Sequence, residues 1–173
     1  MNRLSKLLSL AALALAGCAP VPAPVAVPAA APMPVVNVPP QTAAGPDFLV
    51  RNGAASGVVT TPSGLEYFIV RSGPPSVAPP AAEDTVSFDY EGKLLTGETF
   101  DSSYTEGHPL VGQVNKFVPG FSEALELMRP GDEWIVWIPP ELGYGAKEVG
   151  PIPANSVLRF KLVLHGVTRA PAP

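Results

Sequence analysis

The stretch Thr85-Val86-Ser87-Phe88-Asp89-Tyr90 alternates strictly between polar and apolar side chains. Successive strand residues point to opposite faces, so Val86, Phe88 and Tyr90 share one face while Thr85, Ser87 and Asp89 share the other. A strand so patterned has one side in a core and one toward water. The same period returns in Val157 to Val167, with Leu158, Phe160, Leu162 and Leu164 on one face and Arg159 and Lys161 on the other. Two shorter runs read as strands as well. Leu65 to Val70 is closed by Gly73-Pro74-Pro75, and Glu133 to Ile138 is ended by Pro139-Pro140. Between them, Pro74 to Ala82 carries four prolines and reads as an irregular connection.

One helix stands among these strands. Pro119-Gly120 breaks the chain, and Phe121, Ala124, Leu125 and Met128 then follow at i, i+3, i+4 and i+7 until Pro130-Gly131 stops the run. The pattern predicts an α+β fold, an antiparallel sheet of about five strands curled around one short α-helix. No internal repeat is visible at periods of roughly 20 to 50 residues.

Outside this region the composition changes. The chain has 173 residues, 46% of them apolar, with a net charge of −4. Met1 to Cys18 has a short basic start with Arg3 and Lys6, an apolar run from Leu7 to Ala16, and small residues at its end. That run is about ten residues, half of what spanning a bilayer needs, and it reads as a secretory signal peptide over 1–17. Leu15-Ala16-Gly17-Cys18 resembles the bacterial lipobox, in which the cysteine is lipidated and becomes the first residue of the mature chain. An ordinary signal peptide with an incidental cysteine is the rival reading. Against it, the one cysteine of the chain stands where a lipobox needs it. Several acyl chains hold a membrane firmly where one holds weakly. Ala19, rather than Asp, after the cysteine favours the outer membrane under the sorting rule for Gram-negative lipoproteins. The expected location is the cell envelope, lipid-anchored and facing the periplasm.

Residues 18–46 follow as the lipidated cysteine and a Pro/Ala-rich tether. Ala19 to Pro46 holds nine prolines and no charge, so it lacks both the donors and the large side chains of a packed core. It reads as an extended spacer rather than as a ligand for proline-recognition modules. Asp47 to Asn52 reads as a helical turn or more within a lead-in over 47–57, the domain proper spans 58–168, and 169–173 is a tail.

Several function classes are excluded at this stage. A mildly acidic chain without a basic run has no electrostatic footprint for nucleic acid. A single cysteine permits no intrachain disulfide and no thiolate cluster. His108 and His165 lie far apart, outside any paired-ligand spacing, so neither metal nor cofactor is expected. Ser102 and Ser103 have no nucleophile elbow around them.

Four ordered segments carry a resemblance. They are Val86 to Gly92, then Gly97-Glu98-Thr99-Phe100-Asp101-Ser102-Ser103, then Phe117-Val118-Pro119-Gly120-Phe121 running into Glu123-Ala124-Leu125. The last is Leu142-Gly143-Tyr144-Gly145 leading to Ile152-Pro153-Ala154-Asn155. Over Val58 to Thr168 this set resembles the FKBP-type peptidyl-prolyl cis-trans isomerases. Thr61 to Tyr67 is further similar to the lead-in of bacterial, macrophage-infectivity-potentiator-like members. The resemblance implies an FKBP-like fold and isomerisation of X–Pro bonds in envelope proteins. The alternative is a non-catalytic prolyl-peptide-binding or chaperone lipoprotein of the same fold.

By motif position the resemblance implies walls and floor from Tyr90, Phe100, Phe117, Val118, Phe121 and Phe160, with Leu110 on one wall and Ile152 closing a side. Asp101, Tyr90 and Tyr144 are the implied catalytic residues. Asp101 would approach the carbonyl before proline and accept from the Tyr90 hydroxyl, while the Val118 N–H and Tyr144 hydroxyl bind substrate carbonyls. Beside Phe100, Asp101 also reads as a turn residue, but its partnership with Tyr90 favours a site role. Phe160 reads as core in any β-rich domain and as pocket only through the resemblance, whereas Phe88, Trp134, Trp137 and Leu162 read as core. The floor is Trp in well-known members and Phe121 here, and the flap 145–153 runs about one residue short, with Val149 where a His often stands. Expected partners are proline-containing polypeptides, with macrolide immunosuppressants at reduced affinity. Because the long dimerising helix of the infectivity-potentiator proteins is not seen, a monomer is expected.

Overall fold

The computed structural model describes residues 45–171. The signal segment 1–17 and all of the tether except its last two residues therefore lie outside the described residues, as does the end of the tail. In chain order the elements are α1 (Gly45–Gly53), β1 (Val58–Thr60), β2 (Glu66–Arg71), β3 (Thr85–Leu94), β4 (Thr99–Ser102) and α2 (Ser103–Glu106). There follow β5 (Leu110–Gln113), α3 (Pro119–Leu127), β6 (Glu133–Ile138) and β7 (Leu158–Thr168). Single 3-10 turns occupy Val114–Lys116 and Pro140–Leu142.

All strand pairs are antiparallel, in the order β1-β2-β6-β7-β3-β4, and β5 also pairs with β3. The α+β expectation holds, and the four long runs are β2, β3, β6 and β7. The strand count is seven rather than about five, because β1, β4 and β5 add three or four residues each. A run that short completes barely one period of alternation, so pattern alone does not show it.

β3 is paired with β7 along its whole length, from Thr85 opposite Thr168 to Leu94 opposite Leu158. Its alternation puts Val86, Phe88, Gly92 and Leu94 on the inner face, and β7 matches them with Leu158, Phe160, Leu162 and Leu164. α3 packs onto that face. Pro119 opens it with a preset φ and no N–H to satisfy, and Phe121, Ala124 and Leu125 are its buried stripe. Ser122 Oγ donates to the carbonyl of Val114 at 2.7 Å, fixing the helix to the 3-10 turn that precedes it. Glu83 accepts from the side-chain amides of Gln113 and Asn115 at 2.8 and 2.9 Å, which holds β5 and the same turn from the other side.

The outer face of the sheet has a second apolar cluster. Phe48 of α1 is buried there with Ile135, Trp137 and Val157, against Phe68 and Val70. The lead-in is thus a packed part of the domain. Asn52 Nδ2 donates to Glu66 Oε2 at 2.7 Å, tying α1 to β2. Burial pushes the Glu66 carboxyl above the usual range, against the hydrogen bonds from Asn52 and Thr60 that pull it down.

Candidate active site

Five elements deliver side chains to one pocket. β3 brings Tyr90, β4 brings Phe100 and Asp101, β5 brings Leu110, α3 brings Phe121, and β7 brings Phe160. Lys116, Phe117 and Val118 come from the turn leading into α3, and Tyr144 from the loop after Pro140–Leu142. Together they enclose about 440 Å³.

The floor is a set of interlocked rings. Phe121 is 5% exposed and lies 5.0 Å from Phe160 with the planes at 90°. It is 5.2 Å from Phe117, 5.4 Å from Phe88 and 6.2 Å from Tyr90. Phe100 meets Phe160 edge to face at 5.5 Å. Such geometry sets the positive edge of one ring against the negative face of another. Gly92 makes this packing possible. It stands opposite both Asp101 and Phe160 in the sheet, and a Cβ there would lie 2.7 Å from the Phe100 ring and 2.8 Å from that of Phe160.

The polar wall is as well defined. Tyr90 donates its hydroxyl to Asp101 Oδ2 at 2.8 Å, and Asp101 Oδ1 accepts from the Ser102 N–H at 2.9 Å. Burial first, and Asp101 second, push the Tyr90 phenol far above its ordinary value, so it stays a donor throughout the physiological range. Behind this pair, Ser103 accepts from the Tyr90 N–H at 3.1 Å and donates to Asp89 Oδ1 at 2.8 Å. His165 Nε2 lies 2.7 Å from Asp89 Oδ2. Burial acts to raise the Asp89 carboxyl, but the bonds from His165 and Ser103 outweigh it and hold the group below its usual value. This brace fixes the backbone on both sides of the Tyr90–Asp101 contact. Val118 caps α3 in extended conformation, and its N–H donates to no backbone carbonyl among the described residues.

Nine of the ten residues expected from sequence line this pocket: Tyr90, Phe100, Asp101, Leu110, Phe117, Val118, Phe121, Tyr144 and Phe160. Ile152 does not. It is 4% exposed within the main core, exchanging two backbone bonds of 2.9 Å with Val149 at the base of the flap. Its apolar side chain is drawn into the core, so it shapes the loop rather than the cavity. Lys116 is the lining residue that sequence reasoning missed. Its only signal was adjacency to Phe117-Val118, since a surface cation has no pattern of its own.

Residues 77–165 match the family model described as FKBP-type peptidyl-prolyl cis-trans isomerase. The chain is 43% identical over 129 residues to "Outer membrane protein MIP" of Legionella longbeachae, covering 74% of this chain and 54% of that protein. It is 38% identical over 129 residues to the FKBP-type isomerase FkpA of Escherichia coli K12, covering 75% and 47%. The crystal structure of Escherichia coli FkpA superposes with a TM-score of 0.68 at 38% identity, over 72% of this chain and 58% of that one. An isomerase structure from Pseudomonas syringae gives 0.65 at 27% identity, over 71% and 90%. The chain spans about half the length of the curated relatives it matches.

Proposed function

The chain belongs to the FKBP-type peptidyl-prolyl cis-trans isomerase family, and on that footing we propose that its pocket accelerates cis–trans exchange of X–Pro bonds in envelope polypeptides. The observation that carries this reading is the Tyr90–Asp101 hydrogen bond on the wall of an aromatic pocket whose floor is Phe121.

Rotation about an amide bond costs about 18–20 kcal/mol because resonance across C–N must be broken. An X–Pro bond has nearly balanced isomers, yet they interconvert over roughly tens to hundreds of seconds. No proton transfer or covalent step is needed. The rings around Phe121 accept the proline ring and strip water from the adjoining amide. The twisted amide is less charge-separated than the planar one, so a dry site penalises it less. Asp101, pinned by Tyr90 and Ser102, faces the carbonyl before proline. The Val118 N–H and Tyr144 hydroxyl hold the neighbouring carbonyls, and fixed donors of this kind favour whichever amide geometry they fit.

Two-dimensional NMR exchange on an Ala-Leu-Pro-Phe type peptide is the direct test. Added protein is expected to produce cis–trans exchange cross-peaks at mixing times where the free peptide shows none. A peptide that binds without accelerated exchange sinks the isomerase reading and leaves a prolyl-binding module.

The lipid anchor at Cys18 is part of the proposal, supported by Leu15-Ala16-Gly17-Cys18 and by the uncharged tether that follows. It sets the enzyme at the outer membrane, facing the periplasm. A Cys18→Ser variant is expected to leave the membrane fraction and to lose acyl labelling. Its retention in that fraction at wild-type level would exclude the lipid as anchor.

A further inference from the structure

We propose that Lys116 biases the pocket toward prolyl segments that carry an aspartate or glutamate within two residues of the proline. The inference rests on the isomerase reading of the same pocket and specifies its substrate class.

Lys116 lines the cavity beside Phe117 and Val118. Residues 45–171 contain nine Lys and Arg against fifteen Asp and Glu, and of those nine cations Lys116 is the one that lines this pocket. Lys93 pairs with Glu91 at 2.8 Å and Lys161 with Glu133 at 3.0 Å, whereas Lys116 has no carboxylate within 4.0 Å among the described residues. Nor does its ammonium donate a hydrogen bond there, while the neighbouring Gln113 and Asn115 are both engaged by Glu83. Lys116 is exposed and lines an apolar pocket, which sets its charge on the surface a bound peptide would follow.

Two acidic groups bear on the same site. Asp101 is held by the Tyr90 hydroxyl and the Ser102 N–H, and Glu106 acts on Tyr90 from α2. The rim is thus electrically uneven, with Asp101 on the β4 wall and Lys116 on the turn before α3. A substrate carboxylate is attracted at Lys116, and a substrate cation is repelled there. Walls of aromatic carbon lower the local dielectric and strengthen such an interaction over its value in bulk water. Solvent on the open side keeps it modest and salt-sensitive.

The experiment uses the full chain and peptides containing one proline, with Glu, Gln or Lys placed in turn at each of the two positions before and the two positions after it. The Glu peptide is expected to exceed the Gln peptide in kcat/KM by about two- to fivefold at one or more positions, with Lys below Gln, the range set by a partly exposed pair. The Glu:Gln ratio should shrink in 0.5 M salt, flatten in Lys116→Ala and invert in Lys116→Glu. Equal rates for Glu and Gln at all four positions, or a preference that survives in Lys116→Ala, would overturn the proposal. If no peptide of the series is accelerated, the isomerase reading fails instead. The same Glu:Gln ratio is then measured as peptide affinity by chemical-shift titration, with the same outcomes deciding.

Discussion

Phe121→Ala is expected to lower the unfolding free energy of the domain by about 3–5 kcal/mol, the range for truncating a buried aromatic. Phe121 touches four other rings, from β3, β7 and the turn before its own helix, and it is 5% exposed. Removing it opens a void at the junction of α3 with the sheet, and the remaining rings cannot close over it without leaving their edge-to-face geometry. Against a typical total of about 5–15 kcal/mol, that is a large fraction. Urea unfolding followed by tryptophan emission measures it, and the midpoint should fall with little change in slope. Because the same ring floors the pocket, isomer exchange should fall in the fraction that still folds. A loss below about 1 kcal/mol would mean that the ring is not the keystone its contacts imply.

Asp101→Leu is expected to separate activity from stability in the opposite way. Asp101 is exposed, on a short strand, and among the described residues its carboxylate accepts hydrogen bonds only from the Tyr90 hydroxyl and the Ser102 N–H. A hydrogen bond to a charged group is worth about 1.5–3 kcal/mol. If that energy is expressed on the twisted amide, its loss slows catalysed exchange by about 10- to 100-fold. The unfolding midpoint should move little. Asp101→Asn keeps an acceptor for Tyr90 without the charge and should fall between the two. Tyr144→Phe, which removes only a hydroxyl at the pocket mouth, should reduce exchange by less than Asp101→Leu. Equal exchange rates in wild type and Asp101→Leu would withdraw Asp101 from the mechanism while leaving the pocket intact.

What the sequence disclosed depended on how much repetition each feature had. β3 and β7 are ten and eleven residues long, so their alternation was legible over several periods. α3 had a proline at one end and a proline-glycine stop at the other. β1 and β5 are only three and four residues long, and so they emerged only once β2 and β3 were there to pair with them. The burial of Phe48 was also invisible, because nine residues of helix show an apolar stripe but not the surface that receives it. In the site, the aromatic and acidic members stood in motifs whose order survives in the chain. Lys116 did not, and the contrast with Ile152 is physical. An apolar residue near a pocket is pulled toward whichever cavity excludes more water, whereas a lysine is left at the rim.

The central pairing of the sheet has a consequence for how the protein comes into being. β3 joins β7 across 83 residues at one end of the ladder and 64 at the other, and β6 rests on the opposite edge of β7. The strand around which the sheet is organised is therefore the last of the seven described strands to be synthesised. Until it arrives, β3 and β6 have no common neighbour, and the apolar faces of both are open to water. Folding rates fall as contacts become more distant along the chain, and waiting intermediates with bare strand edges are prone to aggregate. The domain is thus committed to closing its sheet in one late step, once β7 is available to join β3 and β6.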